Sequence, residues 1–179
     1  MKLIYPSLMQ EIFRPSLHSV LLFEAIWTPV LFSWIRNQLD LSYWSGLTFE
    51  KNGFTLNTLK RHILRKDVHA LAGLDHDNQL LAYGEIIYDS VRKKVFLCRI
   101  IVRPDSRGMG IGKAFCKKIM THVHLRFGKV KIELNVLRRN QSAINCYRAL
   151  GFRVSRTISC ARILQGEAHD LVWMSKNSS

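Results

Sequence analysis

The chain has 179 residues, 47% of them hydrophobic and 22% charged. That length suits one domain with a sizeable core, and the composition excludes a disordered or fibrous chain. Lys and Arg number 27 against 13 Asp and Glu, a formal charge of +14, so anionic partners are favoured, nucleic acid and ribosomes among them. The basic residues are spread along the whole chain, which reads as a solvated basic surface rather than one binding stripe.

Residues 1–19 read as an N-terminal extension and 20–176 as a single domain. No signal-peptide pattern is expected at the start, because Glu11, Arg14 and His18 interrupt it. The apolar stretch Ser19 to Ile35 holds Glu24, Thr28 and Pro29, a poor membrane span, so a cytoplasmic protein is expected. Val20 to Ile26 reads as a first strand. Thr28 can cap a helix with Pro29 at its first position, and Leu41 to Gly46 reads as an aromatic loop. A second helix is expected from Thr55 to about Lys66.

Val68 to Leu74 and Leu80 to Tyr88 read as strands joined by the polar turn Asp75-His76-Asp77-Asn78. Val95 to Val102 is apolar except for Arg99, which predicts a strand buried on both faces. Ile111, Phe115, Ile119 and Val123 then recur at helical spacing up to Gly128. Val130 to Val136 alternates, with Val130, Ile132, Leu134 and Val136 toward the core and Glu133 and Asn135 on the other face. A short helix is expected over Ala143 to Leu150, and two strands over Phe152 to Ile163 and His169 to Met174.

Cys98, Cys116, Cys146 and Cys160 form no C-x-x-C pair, and Cys98 and Cys116 lie in apolar surroundings. A disulfide framework is not expected. His122 and His124, two apart on a helix, point in different directions, so no metal site is expected.

Between the apolar strand and the long helix stands Arg103-Pro104-Asp105-Ser106-Arg107-Gly108-Met109-Gly110-Ile111-Gly112-Lys113. A glycine-rich turn before a helix leaves backbone N–H groups bare, and with the helix dipole it makes a cradle for a phosphate. The nucleoside-triphosphatase loop needs Gly-Lys-Ser/Thr, and here Ala114 follows Lys113. The dinucleotide fingerprint G-x-G-x-x-G is also absent; the spacing is G-x-G-x-G. Arg107-x-x-Gly110-x-Gly112 instead resembles the coenzyme A loop of the GNAT superfamily of N-acetyltransferases. The second motif, Asn140-x-x-Ala143-x-x-x-Tyr147-x-x-x-Gly151-Phe152, resembles that family's next strand-helix unit. Tyr43-Trp44-Ser45-Gly46 and the ending Gly166 to Met174 resemble a subgroup, the ribosomal-protein N-terminal acetyltransferases and their relatives.

The resemblance implies an α/β (α+β) GNAT fold. Its central sheet would be mixed and mostly antiparallel, of about six or seven strands with about four helices, and its two parallel strands would splay apart at a bulge. Acetyl-CoA would be the cosubstrate. Its pantetheine arm would lie in the gap against Ile100, Ile101 and Val102, and its pyrophosphate on the backbone of Arg107, Gly108, Met109, Gly110, Ile111 and Gly112, with Lys113 adding charge. Asn140 and Ala143 would complete the cofactor site, with Asn140 touching the pantetheine, capping the short helix, or both. Tyr147 would protonate the departing thiolate.

The general base departs from the family pattern. Relatives that acetylate ribosomal protein N-termini carry a glutamate twelve residues before the tyrosine, where this chain has Asn135. Glu85 and Glu133 are the candidates, directly or through water, with Glu85 preferred; a water chain without a dedicated base stays open. The expected activity is acetyl transfer to a primary amine, whether small molecule, protein N-terminus or lysine. Alternatives are a non-catalytic acetyl-CoA-binding module and a basic nucleic-acid- or ribosome-binding protein. Either a monomer or a homodimer fits.

Overall fold

The computed structural model describes residues 15–49 and 52–177. The chain enters the sheet just before Ser19, where the His18 amide donates to the Leu74 carbonyl at 2.8 Å. Of the expected extension 1–19, residues 1–14 lie outside the described residues, and Ser19 already pairs in the sheet. Strand β1 is Ser19–Leu22, shorter than expected, and is followed by a 3-10 turn at Ala25–Trp27. Helix α1 is Thr28–Ser33, with Trp27 rather than Thr28 at the N-cap.

The stretch expected as an aromatic loop is a helix, α2, Gln38–Ser45. Aromatic and serine residues give it little intrinsic helix preference, so its ends and its burial decide. The Asn37 side chain accepts from the Asp40 amide at 2.9 Å, and Arg36 donates to Asp40 at 3.0 Å. Helix α3, Leu56–Ile63, is held by reciprocal bonds between Thr55 and Thr58, a capping box built from two threonines.

Strands β2 (Val68–Leu74), β3 (Leu80–Asp89) and β4 (Lys94–Val102) follow, then helix α4 (Ile111–Phe127) and strand β5 (Lys131–Leu137). Helix α5 (Gln141–Ala149) and the hairpin of β6 (Arg153–Leu164) and β7 (Glu167–Asn177) complete the chain. The sheet has seven strands in the order β1-β2-β3-β4-β5-β7-β6. Only β4 and β5 run parallel. The expected mixed, mostly antiparallel sheet is present, with five α-helices among the described residues where about four were expected.

Two apolar layers cover the sheet. On one face α4 lays Ile111, Phe115, Cys116, Ile119 and Val123 onto the sheet, and Ile144 of α5 joins them. On the other, Leu31, Trp34, Leu41 and Leu59 from α1, α2 and α3 cover Ala70, Ala72 and Tyr83. Phe115 is fully buried because Gly73 and Gly84 leave it room: a Cβ on Gly73 would stand 2.8 Å from its ring, and one on Gly84 3.0 Å. Among the described residues no helix is long and apolar enough to cross a membrane.

β4 departs from the expectation of burial on both faces. Only Val95, Leu97 and Ile101 are buried. The reason lies in its pairing with β5, which stops early: Lys94, Val95 and Phe96 face Lys131, Ile132 and Glu133, and beyond them the two strands part.

Candidate active site

The parting of β4 and β5 follows from a bulge. Glu85 of β3 pairs with Cys98, but Tyr83 pairs with Ile101, so β4 holds one residue too many between them. Arg99 takes up the excess with φ of 50°, in the left-handed region. A non-glycine residue there is strained and must be held by its neighbours. Its carbonyl accepts from Trp44 Nε1 at 2.7 Å. Its guanidinium donates through Nη1 to Thr48 Oγ1 at 3.0 Å and through Nη2 to Glu85 Oε2. The aromatic helix α2 and a β3 carboxylate thus hold the bulge together from the same face of the sheet.

Where the strands part, a cleft of about 690 Å³ opens. Its floor is Leu97 to Ile100 of β4 and Asn135 to Leu137 of β5. One wall is α2 and the turn after it, Ser42 to Thr48; the opposite wall carries Asn140, Ala143 and Tyr147. Arg162, Leu164 and Leu171 of the last hairpin close the end. A cleft of this size holds one ligand of ordinary cofactor or drug dimensions.

The glycine loop lies outside this cleft, at the head of α4. Gly110 is the N-cap with φ of 82°, Gly108 has φ of 78°, and no side chain caps the helix. The first-turn amides at Ile111, Gly112 and Lys113 have no intrahelical partner, as at any helix start. A Cβ on Gly112 would stand 3.4 Å from Val102, which brings helix and strand close together. Arg107 folds back so that its Nε donates to the Val102 carbonyl at 3.1 Å. Ile111 is buried and anchors the turn, whereas Met109 is exposed. An uncapped positive helix end beside a gap between parallel strands fits a phosphate with a linear, amide-bearing tail.

Ile100 lines the cleft, but Ile101 turns into the opposite core layer and Val102 pairs with Ala82 of β3. Asn140 Oδ1 accepts from the Ala143 amide at 3.1 Å, so it caps α5 while also lining the cleft. Tyr147 is half-buried, its ring edge-on to Phe152 at 5.9 Å. Burial, followed by the nearby thiols of Cys116, Cys146 and Cys98, pushes its phenol pKa up, so the hydroxyl keeps its proton. Cys98 also lines the cleft, and burial raises its thiol to about 11. The Cys146 thiol is drawn down to about 7, chiefly by a hydrogen bond from Cys116.

Neither carboxylate expected as a base lines the cleft. Glu85 is 0% exposed and fully engaged. Its Oε1 accepts from the Tyr83 hydroxyl at 2.7 Å, and its Oε2 meets His62 Nε2 at 2.8 Å as well as Arg99. Burial alone would raise its pKa, but the hydrogen bonds from His62 and Arg99 outweigh that and bring it to about 2. Glu133 sits where β4 and β5 are still paired, bound to Lys94 at 3.3 Å and Lys131 at 2.7 Å. Asn135 does line the cleft.

The Glu85, His62, Tyr83 and Arg99 network escaped the reading of the sequence. A signal was there: Arg99 is the one charge in its apolar strand, and Glu85 the one acid within the preceding strand. On antiparallel neighbours such singletons pair. Arg139 and Arg162, which also line the cleft, had no such signal in a chain of 27 basic residues.

A 95-residue stretch is 32% identical to the thialysine N-epsilon-acetyltransferase of Sus scrofa, covering 51% of this chain and 55% of that protein. Another, of 101 residues, is 29% identical to the UPF0157 protein YqkA of Bacillus subtilis, covering 54% and 28%. The chain thus spans about half or less of the curated relatives it matches. The fold is that of the spermidine N-acetyltransferase of Vibrio cholerae solved with CoA and spermine: TM-score 0.78 at 19% identity, over 89% of this chain and 95% of that one. The family model described as the acetyltransferase (GNAT) family matches residues 27–152, which contain α2, the bulge, the glycine loop and Tyr147, and the chain belongs to that family.

Proposed function

We propose that the protein is an N-acetyltransferase that moves an acetyl group from acetyl-CoA to a primary amine. The observation that carries this is the opening of β4 from β5 after Phe96, with Tyr147 on the cleft wall and the uncapped glycine turn at the head of α4. Acetyl-CoA supplies the acetyl group as a thioester: the acceptor nitrogen bonds to the acetyl carbon, and the carbon–sulfur bond breaks with its electron pair leaving on sulfur.

The chain's own groups divide the remaining work. The backbone amides from Gly108 to Lys113 bind the pyrophosphate, and the β4 edge at Cys98 to Ile100, freed from β5, bonds the pantetheine amides like a neighbouring strand. Tyr147 retains its proton at neutral pH and donates it toward the departing sulfur. Asn140 fixes α5, and with it the position of Tyr147. Glu85 acts as a positioning residue that holds Arg99 in its strained conformation. Among the described residues no carboxylate lines the cleft, and the amine's proton passes to water.

The finer placement, near the ribosomal-protein N-terminal acetyltransferases, rests on Tyr43 to Gly46 and the Gly166 to Met174 ending. Asn135 in place of the glutamate weighs against a shared acceptor. The test is release of free thiol from acetyl-CoA across a panel of amines and peptides, with calorimetry of acetyl-CoA binding. Amine-dependent thiol release is expected. Binding without release for any amine would leave a binding module; no binding would remove the proposal.

A further inference from the structure

The cleft's charge points to the acceptor. Among the described residues that line it there are cations, Arg99, Arg139 and Arg162, and no carboxylate. Buried Glu85 neutralises Arg99. Arg139 and Arg162 have no such partner among the described residues. Arg139 stacks over the Tyr43 ring at 4.9 Å and donates through Nη1 to the Tyr43 hydroxyl at 2.6 Å, which holds the guanidinium in place and leaves its charge unbalanced. Arg162 reaches across from the hairpin, its Nε 4.0 Å from where a Cβ on Gly46 would stand. Arg99 adds a donor: its side chain is 9% exposed, and its buried Nε has no hydrogen-bond partner.

The cofactor's phosphates do not account for these charges, because the glycine loop that fits them lies outside the cleft. One guanidinium held on Tyr43 and a second across the cleft attract a carboxylate and repel a second ammonium. They also favour the neutral form of a nearby amine, which eases its deprotonation.

Resting on the acetyltransferase reading, we propose that the acceptor is a small amine that carries a carboxylate, held by Arg139 and Arg162. Polycationic amines of the kind bound by the Vibrio cholerae structural neighbour are then poor acceptors. The two arginines are specificity determinants: they bind the acceptor's carboxylate while Tyr147 attends to the leaving sulfur.

The test compares α-amino acids with their carboxamides, and with putrescine and spermidine, by thiol release. The free amino acids are expected to exceed carboxamides and polyamines by about tenfold or more in kcat/KM. Arg139→Gln and Arg162→Gln should each erase much of that preference through KM and move the acid limb of the pH profile to higher pH. The second measurement needs no turnover: calorimetry of N-acetyl-leucine against its carboxamide, with wild type and the double glutamine variant. The free acid should bind more tightly, and the double variant should lose the difference. Spermidine or carboxamides turned over as well as the free acids would overturn the inference, as would equal binding of the two N-acetyl probes. A failure of acetyl-CoA to bind would instead sink the acetyltransferase reading, and the N-acetyl probes would still decide the carboxylate site.

Discussion

Arg99 of β4 and Glu85 of β3 meet across the bulge, the arginine with φ of 50° and the glutamate fully buried. The strained residue and the buried charge stabilise one another. Removing one partner of such a pair leaves the other uncompensated, which costs several kcal/mol.

This pair makes stability depend on pH. The Glu85 carboxyl is held at about 2 in the folded chain, below the ordinary value of 4.5. A depressed carboxyl contributes stability that is fully present above the unfolded value and is lost as pH falls through the folded one. Unfolding free energy, and the melting temperature with it, should therefore drop as pH falls from about 5 towards 2, the free energy by on the order of 3 kcal/mol at most for this group. Glu85→Gln should be less stable at pH 7 and show a shallower acid dependence. An unchanged acid profile in that variant would remove the pair from the account.

Catalysis should distinguish a positioning residue from a base at the same site. A carboxyl near 2 is a weak proton acceptor at pH 7. Glu85→Gln should lower turnover by loosening the cleft without the recovery at high pH that marks a lost base. If its rate does recover once the amine is neutral, Glu85 takes the proton after all, through water.

Gly110→Asp should reduce acetyl-CoA affinity about a hundredfold or more, since a carboxylate at the helix start repels a pyrophosphate and φ of 82° suits glycine. Calorimetry on the folded variant decides it. Unchanged affinity would move the phosphates away from this turn.

Tyr147→Phe should keep acetyl-CoA affinity and lower kcat roughly a hundredfold, the usual scale for a lost general acid. The ring still packs against Phe152. Wild-type turnover with a confirmed acceptor would make Tyr147 a packing residue only.

Gly84→Ala should destabilise the fold by about 1–3 kcal/mol, the usual cost of overpacking a core. Its Cβ would stand 3.0 Å from Phe115 and 3.1 Å from Ile100, and Phe115 is fully buried. Denaturant unfolding measures it, and Phe115→Leu in the same chain should recover part of the loss. An alanine tolerated without cost would mean that Phe115 can step aside.

The glycine loop, the Asn140 to Phe152 motif and most strand positions were legible from the residues, because they depend on local chemistry. Bare amides at a glycine turn, helical spacing from Ile111 and alternation from Val130 each act within a few residues of chain. Where sequence alone misled, distant contacts had decided. α2 is helical because Asn37 caps it and the sheet buries Leu41, although its serines and aromatics favour a loop. Glu85 looked like a free carboxylate until folding set it against Arg99, His62 and Tyr83, from which it is separated by up to 23 residues of chain. Arg139 and Arg162 came to line one cleft only when the last hairpin closed its end. Spacing along a strand says which face a side chain takes, but what it meets there depends on elements that arrive from elsewhere in the chain, and in a seven-stranded sheet whose cleft is walled by α2, α5 and the last hairpin those contacts settle the charge and the reach of every group at the site.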